Sequence, residues 1–170
     1  MQAGEESTAL RRRVVGPIRG ADGLIWVASV GGVVEVFDRD LRLLGSQELE
    51  LPGLDIQSPG GRAGGAALVT DIRLAPDGSG VWVFAFAPAV NSSDLMGELQ
   101  RGAPTLERII DTFVYSVRLH PDGLTLVGTD QLDTLVRPLG EGDLAFDLVD
   151  TPDGNRRVRV GRLRLSGESH

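Results

Sequence analysis

Cysteine is absent from this 170-residue chain. Its absence removes disulfides, thiolate metal sites and a cysteine nucleophile. The compartment stays open, because many exported proteins lack cysteine too. Lysine is also absent, and all 17 basic residues are arginine. GC-rich coding explains that bias, since it also favours Gly, Ala, Val and Pro, and the scatter of the arginines argues against a dedicated arginine site. Only two histidines are present, His120 in the turn LHPDG and His170 at the end. That count excludes a histidine-based metal cluster within one chain. A Ser-His-Asp triad needs a histidine held by a buried carboxylate and facing a serine, and a turn histidine beside Pro121 offers neither. No run approaches the roughly 18 apolar residues of a membrane span. Arg11, Arg12 and Arg13 are followed only by Val14 and Val15 before Gly16 and Pro17, so no signal peptide is expected. A net charge of −7 disfavours non-specific nucleic-acid binding.

What is present suits a soluble domain with a real core. The apolar share is 41% and the charged share 24%, both ordinary for a globular chain, and the length fits one domain. With 23 glycines and 9 prolines the chain is rich in turns. Turn-rich sequences with short apolar runs are usually all-β. Period-2 alternation recurs, and helical periods are nearly absent.

Three stretches share one shape: Ile or Val followed by Arg, a turn ending near Gly, then a strand with an aromatic residue. They are IRGADGLIWVAS (18–29, with Trp26), IRLAPDGSGVWVFAF (72–86, with Trp82) and VRPLGEGDLAFDLV (136–149, with Phe146). Asp22-Gly23, Asp77-Gly78 and Glu141-Gly142 mark hairpin turns. A second hairpin follows the first two, at 33–49 and 113–132. After the third comes only the strand RRVRVGRLRL, 156–165. The repeat starts lie 54 and 64 residues apart, longer than the roughly 40 to 50 of a propeller repeat. The Gly-rich connector 51–67 and the insertion 91–108 account for the excess, the latter with a short helix expected from Asp94 to Leu99.

Four-stranded antiparallel units repeated radially make a β-propeller. The expected fold is therefore all-β, a partial β-propeller of about three four-stranded blades at 14–50, 68–132 and 134–165, the last lacking its outer strand. Residues 1–13 are expected to be a tail or a swapped outer strand, and 166–170 a disordered tail. Middle strands of stacked blades should be apolar on both faces. Residues 81–87 fit, with Val81, Val83 and Ala85 on one side and Trp82, Phe84 and Phe86 on the other. In the last strand Val158 and Val160 alternate with Arg157 and Arg159, and the apolar pair then becomes Leu163 and Leu165, which predicts a β-bulge at Gly161.

These patterns resemble a family, the bacterial six-bladed β-propeller proteins of unknown function. Residues 112–165 are similar to the family's final segment, and DGLIWVASVGGVVEVFDRDLRLL (22–44) to its usual blade. The resemblance implies the fold and an exported or periplasmic setting, and is silent on activity. Six blades need roughly twice this length. Two arrangements account for that: the chain is the C-terminal half of a longer one read from an internal Met, or two copies pair as a homodimer completing the ring. In the second arrangement residues 8 to 15 of one copy supply the missing outer strand of the other.

Carboxylates are the remaining chemistry. Asp38 with Asp40, Asp130 with Asp133, and Asp143, Asp147, Asp150 and Asp153 are closely spaced, but DTPDGN (150–155) lacks the D-x-D-x-D-G order of a calcium loop. Propeller lactonases hold a divalent ion in the central channel by Glu, Asn and Asp from different blades, which makes Asp71 and Asn91 candidates here, with Asp150 and Asp153 behind them. GGRAGG (60–65) lacks the Lys-Ser/Thr of a phosphate loop and leads into a strand, so it reads as a connector. N-S-S at 91–93 matches a glycosylation acceptor, relevant only to a secreted eukaryotic protein. Trp26, Trp82, Phe84 and Phe86 read as core, and Arg156, Arg157, Arg159, Arg162 and Arg164 as a solvated strand face. The expected function is a non-catalytic binding or interaction module for an unknown protein or small ligand. The alternative is a metal-assisted hydrolase of lactonase type with a divalent cation such as calcium.

Overall fold

The computed structural model describes residues 13–53, 67–89, 109–140 and 142–165. Every described element is a β-strand, and the strands form three antiparallel sheets. The first sheet is the meander β1 (Val14–Arg19), β2 (Ile25–Ser29), β3 (Val33–Phe37) and β4 (Leu43–Glu48). The second repeats the order with β5 (Leu68–Leu74), β6 (Gly80–Pro88), β7 (Ile110–His120) and β8 (Gly123–Leu132). The third has three strands in the order β11-β10-β9, with β9 Arg137–Pro138, β10 Leu144–Asp150 and β11 Arg156–Arg162. The all-β architecture thus stands as expected.

Burial explains why the chain stacks these sheets. In β2 and β3 only alternate residues are buried, Trp26, Ala28, Val34 and Val36. These side chains share one cluster with Val69, Ile72, Val81, Val83, Tyr115 and Val117 of the second sheet. Successive strand residues point to opposite faces, so Trp82 and Phe84 emerge on the far side of β6. There they are buried with Val114 and Leu165. The central strand of the second sheet is therefore apolar on both faces, and β-branched and aromatic residues suit that position. β8 lies at the sheet's edge and alternates half-buried with exposed residues.

The first two sheets run in the same order across their shared core. A Cβ on Gly16 of β1 would stand 3.3 Å from Ile72 of β5, and one on Gly45 of β4 would stand 3.1 Å from Leu124 of β8. Backbone bonds join them as well: Val69 N–H donates to Val30 O at 3.1 Å, and Ala67 N–H to Pro52 O at 2.8 Å. Thr112, fully buried on β7, ties in the third sheet. Its hydroxyl donates to Thr134 O at 2.8 Å and accepts from Val136 N–H at 2.8 Å.

Two expectations change. The β10–β11 ladder is continuous from Leu144↔Arg162 to Asp150↔Arg156, with Ala145 opposite Gly161, so no bulge interrupts it. The apolar pattern shifts because the strand ends at Arg162. Leu163 N–H then donates to Asp143 O at 2.8 Å, and Leu165 turns inward onto Trp82 and Phe84. Val14 and Val15, assigned to a swapped outer strand, lie in β1 opposite Ser29 and Ala28. They complete their own sheet and are not available to a second copy. Residues 8–12, the tail 166–170, GGRAGG, the N-S-S at 91–93 and the helix expected at Asp94–Leu99 lie outside the described residues.

Candidate functional site

The three repeated hairpins bring their turns together. A cavity of about 730 Å³ is lined by Ile18, Arg19 and Asp22 from the β1–β2 turn, Arg73 and Pro76 from the β5–β6 turn, and Gly142 from the β9–β10 turn. Each turn is built from its own sequence. Asp22 Oδ1 accepts from Leu24 N–H at 3.0 Å, and Asp77 Oδ1 accepts from Ser79 N–H at 2.9 Å and from the Ser79 hydroxyl at 2.7 Å. An aspartate that captures an amide two residues on is a standard turn device. The glycine that follows each has a positive φ, 86° at Gly23 and 70° at Gly78, which a side chain would resist.

A second device repeats, and spacing did not reveal it. Arg39, just past the third strand of the first sheet, donates from Nη2 to Asp22 O at 3.1 Å. Arg118, on the third strand of the second sheet, reaches Asp77 Oδ2 at 3.2 Å. The Ser79 bonds, and to a lesser degree Arg118, hold the Asp77 carboxyl below the usual carboxylate range. These partners lie 17 and 41 residues apart in sequence. The common signal is an arginine near the end of each third strand.

The shared Ile/Val-Arg step is not in one register throughout. Arg73 pairs across the strands with Trp82, and Arg137 with Phe146, whose ring it overlies at 5.9 Å. In the first hairpin Ile18 takes that place opposite Trp26, and Arg19 faces Ile25. The cause is spacing, since six residues separate Arg19 from Trp26 and eight separate Arg73 from Trp82. Arg19 and Arg73 nevertheless reach the same cavity. Arg73 is bound to Asp71 at 2.9 Å, while its Nε is buried without a partner among the described residues.

Of the candidate metal ligands, Asp71 and Asp153 have described side chains, and they sit on different sheets. Asp71 sits on β5, where its oxygens accept from Ile72 N–H at 2.8 Å and from Arg73. Asp153 is in the β10–β11 turn, accepting from the Thr151 hydroxyl and from the Asn155 amide at 2.9 Å. Those bonds, the Thr151 one foremost, hold its carboxyl low. Asp150 ends β10, its side chain outside the description, and Asn91 lies outside the described residues. Among the described residues no group of three or more His, Asp or Glu side chains could hold a metal ion.

Other candidates find structural roles. Asp147, buried on β10, is bound by Arg159, with Arg159 Nε 3.0 Å from Oδ1, and this bond raises the arginine's pKa. Asp143 takes Arg162 at 2.8 Å, and Asp38 accepts from the amides of Asp40 and Arg42 at 2.8 and 2.9 Å. His120 ends β7 as an exposed residue beside the turn to β8. Trp26, Trp82 and Phe84 are buried core, and Phe86 is half-buried. β11 is exposed along its whole length. No helix among the described residues is long and apolar enough to cross a membrane. No protein-family model, curated protein or solved structure matches this chain.

Proposed function

We propose that the chain is a non-catalytic binding module whose three sheets are blades of a β-propeller, part of a six-bladed ring completed outside this chain. The observation that carries this reading is the convergence of one hairpin turn from each sheet on a single cavity of about 730 Å³. Radially repeated sheets gather equivalent turns around a common axis, and a volume of a few hundred to about 1,000 Å³ suits a small ligand. The aliphatic walls from Ile18, Leu74 and Pro76, with the guanidinium groups of Arg19 and Arg73, suit an anionic group on an apolar body.

The test is an NMR titration with hexanoate, using its methyl ester as the neutral control. Amide shifts are expected to cluster at 18–22, 73–78 and Gly142 with the acid alone. Arg19→Ala should weaken binding by about tenfold or more, the value of one charge-assisted hydrogen bond. Shifts elsewhere, or equal shifts with the ester, refute the cavity as a binding site. Metal analysis of the purified protein tests the catalytic alternative: a stoichiometric divalent ion would replace this reading with a metal-assisted hydrolase.

A further inference from the structure

Among the described residues, no strand covers the outer face of the first sheet or of the third, and the two faces differ in character. Residues paired across strands share a face, so the outer face of the first sheet carries Val14, Ile25, Val27, Val33, Phe37 and Leu43. Glu35 and Glu48 stand among them, and Arg19 lies at the rim by the turn. The middle residues are only half-buried, and Val14 and Leu43 are 59% and 53% exposed. In the third sheet Ala145 and Asp147 are buried, and they border a small cavity with Leu132 of the second sheet and Thr134 of the link to β9. The opposite face carries Leu144, Phe146, Leu148, Val158 and Val160. Arg137, Arg156 and Arg162 share that face with Asp150, which pairs across from Arg156, and Arg162 also holds Asp143. Val158 and Val160 are 61% and 53% exposed.

We propose that the outer face of the third sheet docks on the outer face of the first sheet in a second copy of this chain. Both faces are apolar at the centre, and exposed apolar sheet faces of this extent mark contact surfaces. Their net charges are complementary, three arginines against Asp150 on one and two glutamates against Arg19 on the other, which favours this pairing of faces. The chain already contains this kind of contact, since the inner face of the first sheet packs on the second through Trp26, Val34 and Val36. The contact is heterologous, joining two different faces, and two such contacts close a pair of chains into a ring. It rests on the radial stacking proposed above and not on the turn cavity holding a ligand.

Light scattering with size exclusion tests it, and the readout is independent of the hexanoate titration. The wild type is expected at twice the 18.1 kDa of one chain or above. Val158→Glu/Val160→Glu blocks the third-sheet face, and Val14→Arg/Leu43→Arg blocks the first-sheet face. All four positions are exposed, so circular dichroism should show both variants folded. Each variant alone should run as a single chain, and a mixture of the two should run as a pair, because each retains the face the other lacks. A wild type that stays a single chain throughout a concentration series overturns the proposal. So does a variant that still self-associates, or a mixture that does not.

Discussion

Tyr115 offers the sharpest test of how the first two sheets meet. It is the only tyrosine in the chain, so phenolate absorbance reads it without interference. The ring is 2% exposed on β7 within the core shared by both sheets, and its hydroxyl donates to Glu50 O at 3.0 Å. Burial, reinforced by the negative charge of Glu50, pushes its pKa up to about 12 from the ordinary 10. A near-UV titration of the folded protein should give a single transition near pH 12, falling to about 10 in denaturant. Tyr115→Phe removes one hydrogen bond whose acceptor belongs to an exposed residue that water can serve. The loss at neutral pH should be about 0.5–1 kcal/mol, the low end for such a bond, or a fall of roughly 1–4 °C in Tm. The sign then reverses with pH. The folded pKa lies above the unfolded one, so between 10 and 12 the unfolded chain loses its phenolic proton while the folded chain keeps it. The wild type should therefore lose stability through that window at up to about 1.4 kcal/mol per pH unit, and Tyr115→Phe should not. The two curves should cross roughly 0.1–0.7 pH unit above 10. A folded-state titration at pH 10, or parallel stability curves, would refute the packing of Tyr115 between the sheets.

Two further substitutions probe the second sheet. A Cβ on Gly80 would stand 2.1 Å from Val117 O and 3.0 Å from Arg118 Cα, both rigid backbone. Gly80→Ala should cost about 1–3 kcal/mol, the usual range for overpacking, and lower the urea midpoint without changing the slope; an unchanged midpoint would contradict the close β6–β7 approach. Leu165→Ala removes the C-terminal cover of Trp82 and Phe84. It should cost about 2–3 kcal/mol and shift tryptophan emission to the red, whereas unaltered emission and stability would show that Leu165 does not cover that face.

Strand positions and sheet count were legible because period-2 alternation and Asp-Gly turns are local signals. The chain needs only its own neighbours to display them. Which faces are covered was not legible. Val27 and Val83 occupy similar apolar strands, yet Val83 is fully buried and Val27 half-exposed. That difference is set by whether another sheet lies beyond. Leu163 and Leu165 misled for a related reason. Their spacing matches a strand with a slipped register, and only the tertiary position of Trp82 shows that the chain has left the ladder to cover it.

The aspartates show why counting carboxylates points to the wrong chemistry. In a turn, a carboxylate has free backbone amides within reach, and it is satisfied by hydrogen bonds to them without any ligand. Asp22, Asp38 and Asp77 bond amides of their own turns, and Asp153 bonds the side chains of Thr151 and Asn155. Such a group is already committed to its turn, and binding an ion would break the bonds that shape its hairpin. The residues that line the shared cavity include Arg19, Asp22 and Arg73, the last bound to Asp71. Hence the chain's net negative charge does not count against the anionic ligand proposed above, because these acids are bound locally within their turns.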